Sequence, residues 1–252
     1  MKKGFCMADR RWTLYLAAAL IALSAALYLL HFALFQDPYH IWLYLLGDLA
    51  FLPIEVLLVT IILHRLLELR DRQTRLEKLN MVIGTFFSTI GTELLTLFSD
   101  HDPRMPEFRK RMVISEKWSP EDFARLQGEL TRYACDITIT EIDLPALRSF
   151  LGKNEDFMIR LLENPFLLEH ESFTELLQAI FHLTDELKHR NDLIALPESD
   201  LRHLSGDVCR AYQLLIRQWL QYVLYLKENY PYLFSLALRT NPFDEKASVI
   251  VS

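Results

Sequence analysis

Glycine is scarce in this sequence, and its distribution excludes several kinds of site. The seven glycines form neither a GxGxxG nor a GxxxxGK[ST] pattern, which argues against nucleotide binding by a glycine-rich loop. The metalloprotease motif HExxH and the hydrolase motif GxSxG are also absent. We therefore predict no enzymatic activity and no bound cofactor.

Cysteine is also scarce. Cys6, Cys135 and Cys209 form no CxxC pair. The membrane orientation derived below places all three on the cytosolic side, where disulfides are rare. We expect neither a disulfide framework nor a thiolate metal site.

The sequence lacks a strong excess of one charge. Its net charge is -6, and it contains no block of basic residues and no basic stripe with interleaved aromatic residues. A protein that binds nucleic acid needs such a surface to neutralise phosphates. We therefore exclude nucleic acid as a partner.

Two long apolar stretches lie near the N-terminus, Trp12–Phe35 and Ile41–Leu63. Each is as long as the roughly 20 residues that a helix needs to cross a bilayer. A signal peptide would have a shorter apolar region followed by a polar mature chain. The pattern predicts a retained hairpin of two transmembrane helices, with the lipid bilayer as a partner.

The basic residues beside these stretches predict the orientation of the hairpin. The turn between the stretches, residues 36–40, contains no Lys or Arg. By the positive-inside rule both termini are then cytoplasmic, and the chain is a multi-pass protein of the plasma (inner) membrane. The flanking basic residues are Lys2, Lys3, Arg10 and Arg11 before the first stretch and Arg65, Arg70, Arg72 and Arg75 after the second.

The second stretch carries two carboxylates, Asp48 and Glu55. A charged side chain near the centre of a bilayer costs roughly 3 kcal/mol on insertion scales, so such residues are usually paired or functional. One interpretation is structural, with His31 of the first stretch as the partner of Asp48. The others are an ion or proton pathway and a ligand-binding role. Pro53 lies between the two acids and removes a helix hydrogen bond, which favours a kink.

Apolar residues recur at alternating steps of four and three from the second stretch far beyond the membrane. This period of 3.5 predicts a left-handed coiled coil in which polar members fix the register and the number of partners. We call this set the seam. Its members are Ile41, Leu45, Asp48, Leu52, Glu55, Val59, Ile62, Leu66, Leu69, Gln73, Leu76, Asn80, Ile83, Phe87, Ile90, Leu94 and Leu97.

Both membrane carboxylates belong to the seam. If the seam surrounds the axis of a homo-oligomer, Asp48 and Glu55 form two acidic rings about 10 Å apart. Such rings attract cations in many channels. The seam could instead pack between helices of one subunit. Beside it, Gly84 and Gly91 indicate close packing or a hinge, because glycine weakens a helix interior.

The rest of the chain reads as a helical domain. Ser119–Asp122 and Ser172–Glu175 have the pattern of capped helix starts. A long helix is predicted from Glu198 to Asn229, and Ile137–Ile142 is the one strand-like segment.

These elements predict an all-α membrane protein. A two-span hairpin continues into a long coiled-coil-like helix and then into a cytosolic helical bundle. The expected divisions are an N-terminal flank over 1–11, the hairpin over 12–64, the coiled-coil-like helix over 65–99, the cytosolic domain over 100–240 and a C-terminal tail over 241–252.

A group of polar residues shares one face of the helix predicted after Ser172. His182, Glu186 and His189 have the spacing of metal ligands on a helix. This face is opposite the apolar one, so the interpretation that we favour is a solvated surface. His203 and Asp207 lie one turn apart on the next helix and would complete a metal site if the two helices pair.

Parts of the chain resemble a family of small bacterial membrane proteins, a resemblance that implies a membrane location but no activity. The blocks concerned are residues 79–98, 164–190 and 225–243. The hairpin is also similar to that of the mitochondrial calcium uniporter. Its Trp-Asp-x-x-x-Pro motif is not matched, because Gly47 precedes Asp48 and Pro53 precedes Glu55.

Our leading hypothesis is an oligomeric membrane protein with a cation or proton path lined by Asp48 and Glu55, regulated by the cytosolic domain. The alternative is a membrane-anchored interaction or signalling scaffold without transport.

Overall fold

The computed structural model describes residues 3–164, 167 and 170–250. Two compact units divide the chain, the first ending at Asp71 and the second beginning at Arg72. Helices and loops make up the described residues, with no strand among them, so the fold is all-helical as predicted. Lys2, a member of the basic N-terminal flank, lies outside the described residues, as do the side chains of Lys3, Arg10 and Arg11.

The first unit is built from helix α1, Lys3–Phe35, and the first part of helix α2, Pro38–Phe86. Both helices are long and apolar enough to cross a membrane, by length and composition. Large apolar side chains are exposed along both, from Trp12 to Leu69. The helix α2 runs through Pro53 without ending.

Asp37 shapes the short turn between the two helices. Its Oδ1 accepts hydrogen bonds from the backbone N–H of Tyr39 at 3.0 Å and of His40 at 3.4 Å, which caps α2. Pro38 suits the first helical position because it has no N–H to satisfy. The side-chain hydrogen bond with His40 lowers the pKa of Asp37. The turn therefore folds from local signals alone.

The second unit is a bundle of helices around one apolar core. Helix α9 packs against α3, α5, α8 and α10, and its buried face consists mainly of Leu, Ile and Val residues. After the last turns of α2 and a π-helical turn, Phe87–Gly91, the helices are α3 Thr92–Asp100, α4 Met105–Met112, α5 Pro120–Leu130, α6 Leu144–Lys153, α7 Glu155–Leu162, α8 Glu171–His189, α9 Glu198–Asn229 and α10 Pro231–Arg239.

Of the two predicted helix starts, one is confirmed and one is wrong. Ser119 forms a reciprocal capping box with Asp122 at the start of α5. At the start of α8 the cap is His170, which accepts a hydrogen bond from the backbone N–H of Phe173. The Ser172 hydroxyl instead donates to Gln218 Oε1 at 3.1 Å, on α9. A tertiary hydrogen bond has replaced the local one.

The strand-like segment Ile137–Ile142 is not a strand. It is a loop with a 3₁₀ turn, Ile139–Glu141. Ile137, Ile139 and Ile142 are all buried. Their apolar character therefore reflects contact with the core rather than strand pairing.

The seam does not remain free beyond the hairpin. Its members Ile83, Phe87, Ile90 and Leu94 are buried in the core of the second unit. The segment 65–99, predicted as a separate coiled-coil-like helix, thus contributes its second half to the helical domain. Periods of 3.5 and 3.6 differ little over a few turns, so an apolar stripe of this length suits either packing. Asn80 donates to Leu76 O within its own helix.

Gly84 and Gly91 lie at close packing contacts, as the sequence indicated. A Cβ atom at Gly84 would lie 2.5 Å from the Tyr222 hydroxyl oxygen. At Gly91 it would lie 2.6 Å and 2.7 Å from ring atoms of Phe87 and Phe86. At both glycines a Cβ atom would therefore displace a neighbouring aromatic side chain, and neither glycine has a positive φ.

A disulfide joins Cys135 and Cys209, with a Cα–Cα distance of 5.5 Å. This corrects the expectation of no disulfide. The two cysteines are 74 residues apart, and no local pattern marks such a pair. The bundle brings the loop after α5 beside α9, and that tertiary contact makes the bond possible.

Candidate functional site

In the first unit, His31 and Asp48 line the same cavity between α1 and α2. The cavity has a volume of about 530 Å³ and an otherwise mostly apolar wall. His31 Nδ1 is buried and has no hydrogen-bond partner among the described residues. The His31 ring contacts Phe35, with ring centroids 4.8 Å apart. The structure thus brings the predicted pair to one cavity, although no hydrogen bond satisfies this ring nitrogen.

Glu55 does not line this cavity. Both Asp48 and Glu55 are exposed side chains on the surface of the first unit, and so is Gln73 at the start of the second. The described residues therefore leave both Asp48 and Glu55 exposed.

In the second unit, polar side chains of α8 and α9 converge where these two helices pack together. His182 and Glu186 lie one turn apart on α8, and His203 and Asp207 lie one turn apart on α9. Asp207 Oδ2 lies 3.4 Å from His203 Nε2 and 3.7 Å from His182 Nε2. We call His182, His203 and Asp207 the His–His–Asp cluster.

Asp207 is the most buried member of the cluster. Its side chain is 15% exposed, and its Oδ2 atom is buried without a hydrogen-bond partner. A buried carboxylate oxygen without a partner is costly unless a cation or a donor reaches it. The ligating atoms of the three residues all lie within 4.8 Å of one another, as the donors of a metal site would.

Glu186 borders the cluster but already has a partner. Its Oε1 lies 3.8 Å from His182 Nε2, while its Oε2 accepts a hydrogen bond of 2.6 Å from Arg190. Arg190 also binds both carboxylate oxygens of Asp200, at 2.8 Å and 2.6 Å. The hydrogen bond from Arg190 lowers the pKa of Glu186 and of Asp200. The charge of Arg190 is thus shared by these two acids.

His189 does not join this group. Its Nδ1 makes a 2.8 Å hydrogen bond with the backbone oxygen of Asp185. The predicted set His182, Glu186 and His189 is therefore replaced by one pair from each helix. Glu186 is 27% exposed, so the face lies at the edge of the α8–α9 contact and is not fully solvated. The sequence showed that His203 and Asp207 lie one turn apart on a helix. Whether they meet His182 depended on the packing of that helix against α8, which the sequence did not show.

A second cavity of the second unit was not anticipated from the sequence. It has a volume of about 580 Å³ and lies among the end of α2, the π-helical turn, α9 and α10. Gly84, Phe87 and Tyr222 belong to its wall. The rings of Phe87 and Tyr222 stack with centroids 5.6 Å apart, so these aromatics both pack the core and border the cavity.

The two units define the class of protein: an all-helical chain with an N-terminal helical region and a C-terminal helical domain. The chain belongs to the MJ1433 family. The family model for the N-terminal helical domain of MJ1433 matches residues 8–67. The model for its C-terminal helical domain matches residues 75–239.

The chain is similar along nearly its whole length to the uncharacterized protein MJ1433 of Methanocaldococcus jannaschii. The two are 49% identical over 244 residues, which cover 97% of this chain and 98% of the relative. No solved structure matches the chain.

Proposed function

We propose that this protein is an integral membrane protein whose hairpin assembles into a homo-oligomer around a cation or proton path. The observation that supports this most is the exposure of Asp48 and Glu55 on a surface otherwise rich in aliphatic side chains. Exposed to lipid, each carboxylate would cost roughly 3 kcal/mol. Contact with neighbouring subunits, or water in a central path, removes that cost.

The cavity beside Asp48 supports a path for protons or small cations. His31 and Asp48 both line it, so an imidazole and a carboxylate, two groups that can bind and pass on a cation or a proton, face the same space. Glu55 lies two helical turns further along α2, so the two acids could act in succession along one face. Both termini would be cytoplasmic, as the basic flanks predict.

The test begins with the subunit number of the full-length protein in detergent, measured as mass corrected for bound detergent. Four or more subunits leave room for an axial path. Cation and proton flux is then measured in liposomes for Asp48→Asn and Glu55→Gln. The matched control is Glu68→Gln, which neutralises an acid on the same helix beyond the apolar stretch.

We expect lower flux in Asp48→Asn and Glu55→Gln, unchanged flux in Glu68→Gln, and unchanged assembly in all three. Unchanged flux in both membrane variants would disprove the path.

A second candidate function is that of a membrane-anchored interaction or signalling scaffold without transport. The burial of Ile83, Phe87, Ile90 and Leu94 favours it, because these seam residues serve the core of the chain's own domain and are not available to a partner helix. On this proposal Asp48 and Glu55 stabilise the hairpin. A monomer or dimer without flux, in which Asp48→Asn changes thermal stability, would support it.

A further inference from the structure

We infer that His182, His203 and Asp207 of the second unit bind a divalent transition-metal ion, with Zn²⁺ as the best fit. This inference is independent of the proposed function, because the cluster lies in the helical domain and takes no part in a membrane path.

Two of the three distances within the cluster are close to those of ligand atoms around an ion, and all three ligating atoms lie within 4.8 Å of one another. Separations of 3.4 Å and 3.7 Å between Asp207 Oδ2 and the two Nε2 atoms exceed the usual hydrogen-bond length. Zn²⁺ holds imidazole nitrogens and carboxylate oxygens at about 2.0–2.2 Å, which places tetrahedral ligand atoms about 3.4 Å apart. The cluster therefore binds the ion once the side chains close these distances to about 3.4 Å.

The charge distribution gives an independent reason for a cation at this place. Asp207 Oδ2 is buried without a hydrogen bond and has only the longer contacts with His182 and His203. The neighbouring acids Glu186 and Asp200 are paired with Arg190. An ion coordinated by Asp207 would supply the missing partner. Because the ion is divalent, it would also attract the nearby carboxylate of Glu186.

The donor set selects the kind of metal. Two imidazole nitrogens and one carboxylate oxygen suit Zn²⁺ and related transition metals, whereas Mg²⁺ and Ca²⁺ prefer oxygen ligands. Three protein ligands leave a fourth position for water, as in sites where zinc is reactive. Glu186 Oε2 lies 3.7 Å from His203 Nε2, which makes it the acid available to accept a hydrogen bond from such a water.

The test uses the untagged full-length protein in detergent, stripped with EDTA and then dialysed against Zn²⁺. Elemental analysis gives the stoichiometry, and titration with Co²⁺ gives the visible spectrum that distinguishes tetrahedral coordination. The variants are His203→Ala and Asp207→Asn. The matched control is His189→Ala, an exposed histidine of the same domain whose Nδ1 already bonds a backbone oxygen.

We expect about one ion per chain in the unaltered protein and in His189→Ala. His203→Ala and Asp207→Asn should weaken Zn²⁺ binding by roughly 100-fold or more. Mutation of residues that only hydrogen-bond to metal ligands already lowers the affinity by about 10- to 100-fold, and loss of a ligand itself should cost more. Circular dichroism without metal checks that both variants fold, and Asp207→Asn should fold readily because it removes a buried charge.

A stoichiometry far below one per chain would overturn the inference. Equal losses in His189→Ala and His203→Ala would do so as well, because they would show adventitious binding to histidines. None of these readouts depends on ion flux, so the inference and the proposed function can fail separately.

Discussion

The two units use the same aliphatic residues in opposite ways. In the first unit, Leu and Ile side chains of α1 and α2 are exposed, whereas in the second unit Leu and Ile side chains form a closed core. Helix α2 itself shows the change: Leu69 is exposed, while Leu79 and Ile83 are buried. Residue type therefore does not decide which of these side chains are buried. Burial depends on whether other helices are present to pack against them.

The acids of the hairpin also differ from two acids of the second unit, Asp102 and Asp207. Asp48 and Glu55 of the hairpin are exposed. In the domain, the buried Asp102 accepts a 2.5 Å hydrogen bond from the Tyr133 hydroxyl group, and burial together with this bond raises the pKa of Tyr133. Asp207 differs from Asp102 because its buried Oδ2 has no hydrogen bond and has only the longer contacts with the two histidines of the His–His–Asp cluster. This is why Asp207 points to a ligand.

The largest loss of stability is expected when an aromatic side chain is removed from the core of the second unit. Phe98 is fully buried and packs against Tyr212, so Phe98→Ala should lower the free energy of unfolding by about 3–5 kcal/mol. The control Leu57→Ala removes an exposed side chain of the hairpin and should have little effect on the same transition. Urea unfolding followed by near-ultraviolet circular dichroism measures both. Similar losses in the two variants would contradict the division into an exposed and a buried set.

Removal of metal should have the next largest effect. Zn²⁺ at 100 times its Kd would stabilise the domain by about 2.7 kcal/mol, so EDTA should lower Tm by roughly 5–10 °C for a unit of this size. The variant His203→Ala should show no response to EDTA. A response of equal size in that variant would place the metal effect elsewhere.

A smaller loss of stability is expected when a methyl group is added at a glycine that lies close to aromatic rings. Gly91→Ala would place a methyl group 2.6 Å from the Phe87 ring and should cost about 1–3 kcal/mol by overpacking. Gly128→Ala is the matched control, because no atom lies within 4 Å of its Cβ position. It should stabilise the protein by about 0.4–1 kcal/mol. A lower Tm for Gly91→Ala together with a higher Tm for Gly128→Ala would confirm this prediction. A change of Tm in the same direction for both variants would contradict it.

The smallest effect concerns Arg190. Its hydrogen bonds hold the pKa of Glu186 and of Asp200 below their ordinary values. The stabilisation is therefore complete above those ordinary values and is lost as the pH falls through the lowered ones. Arg190→Ala should cost about 1 kcal/mol at pH 7 and flatten the acid side of the stability profile.

Arg202→Ala is the control for that measurement, since its pair with Glu198 on α9 is exposed. It should change neither the stability nor its pH dependence measurably. A profile of Arg190→Ala with the same acid slope as the unaltered protein would show that the pairs with Glu186 and Asp200 contribute nothing.

Local signals predicted much of the fold. The end of α9 at Asn229 follows from Pro231, which begins a new helix. The start of α5 follows from the capping residue Ser119. The partner of an apolar stripe does not follow, because the seam residues near Phe87 suit either a neighbouring chain or the chain's own core. The Cys135–Cys209 bond was missed for the same reason.

The candidate metal site was predicted in part. Spacing on a helix identified His182 and Glu186, and it identified His203 and Asp207 as a pair that depends on helix pairing. Spacing could not reveal that the His189 ring bonds its own helix. His189 stays outside the cluster that His182, His203 and Asp207 form. Which residues of one helix face meet the neighbouring helix depends on how the two helices pack, and sequence position alone does not decide that.

The disulfide closes a covalent loop from residue 135 to residue 209. Helices α6, α7 and α8 and the first part of α9 lie inside that loop. His182, Glu186, His203 and Asp207 are all within it. When the chain unfolds, the disulfide keeps these four residues within one closed loop. The unfolded chain then has fewer conformations, so less conformational entropy is lost when α8 packs against α9 again.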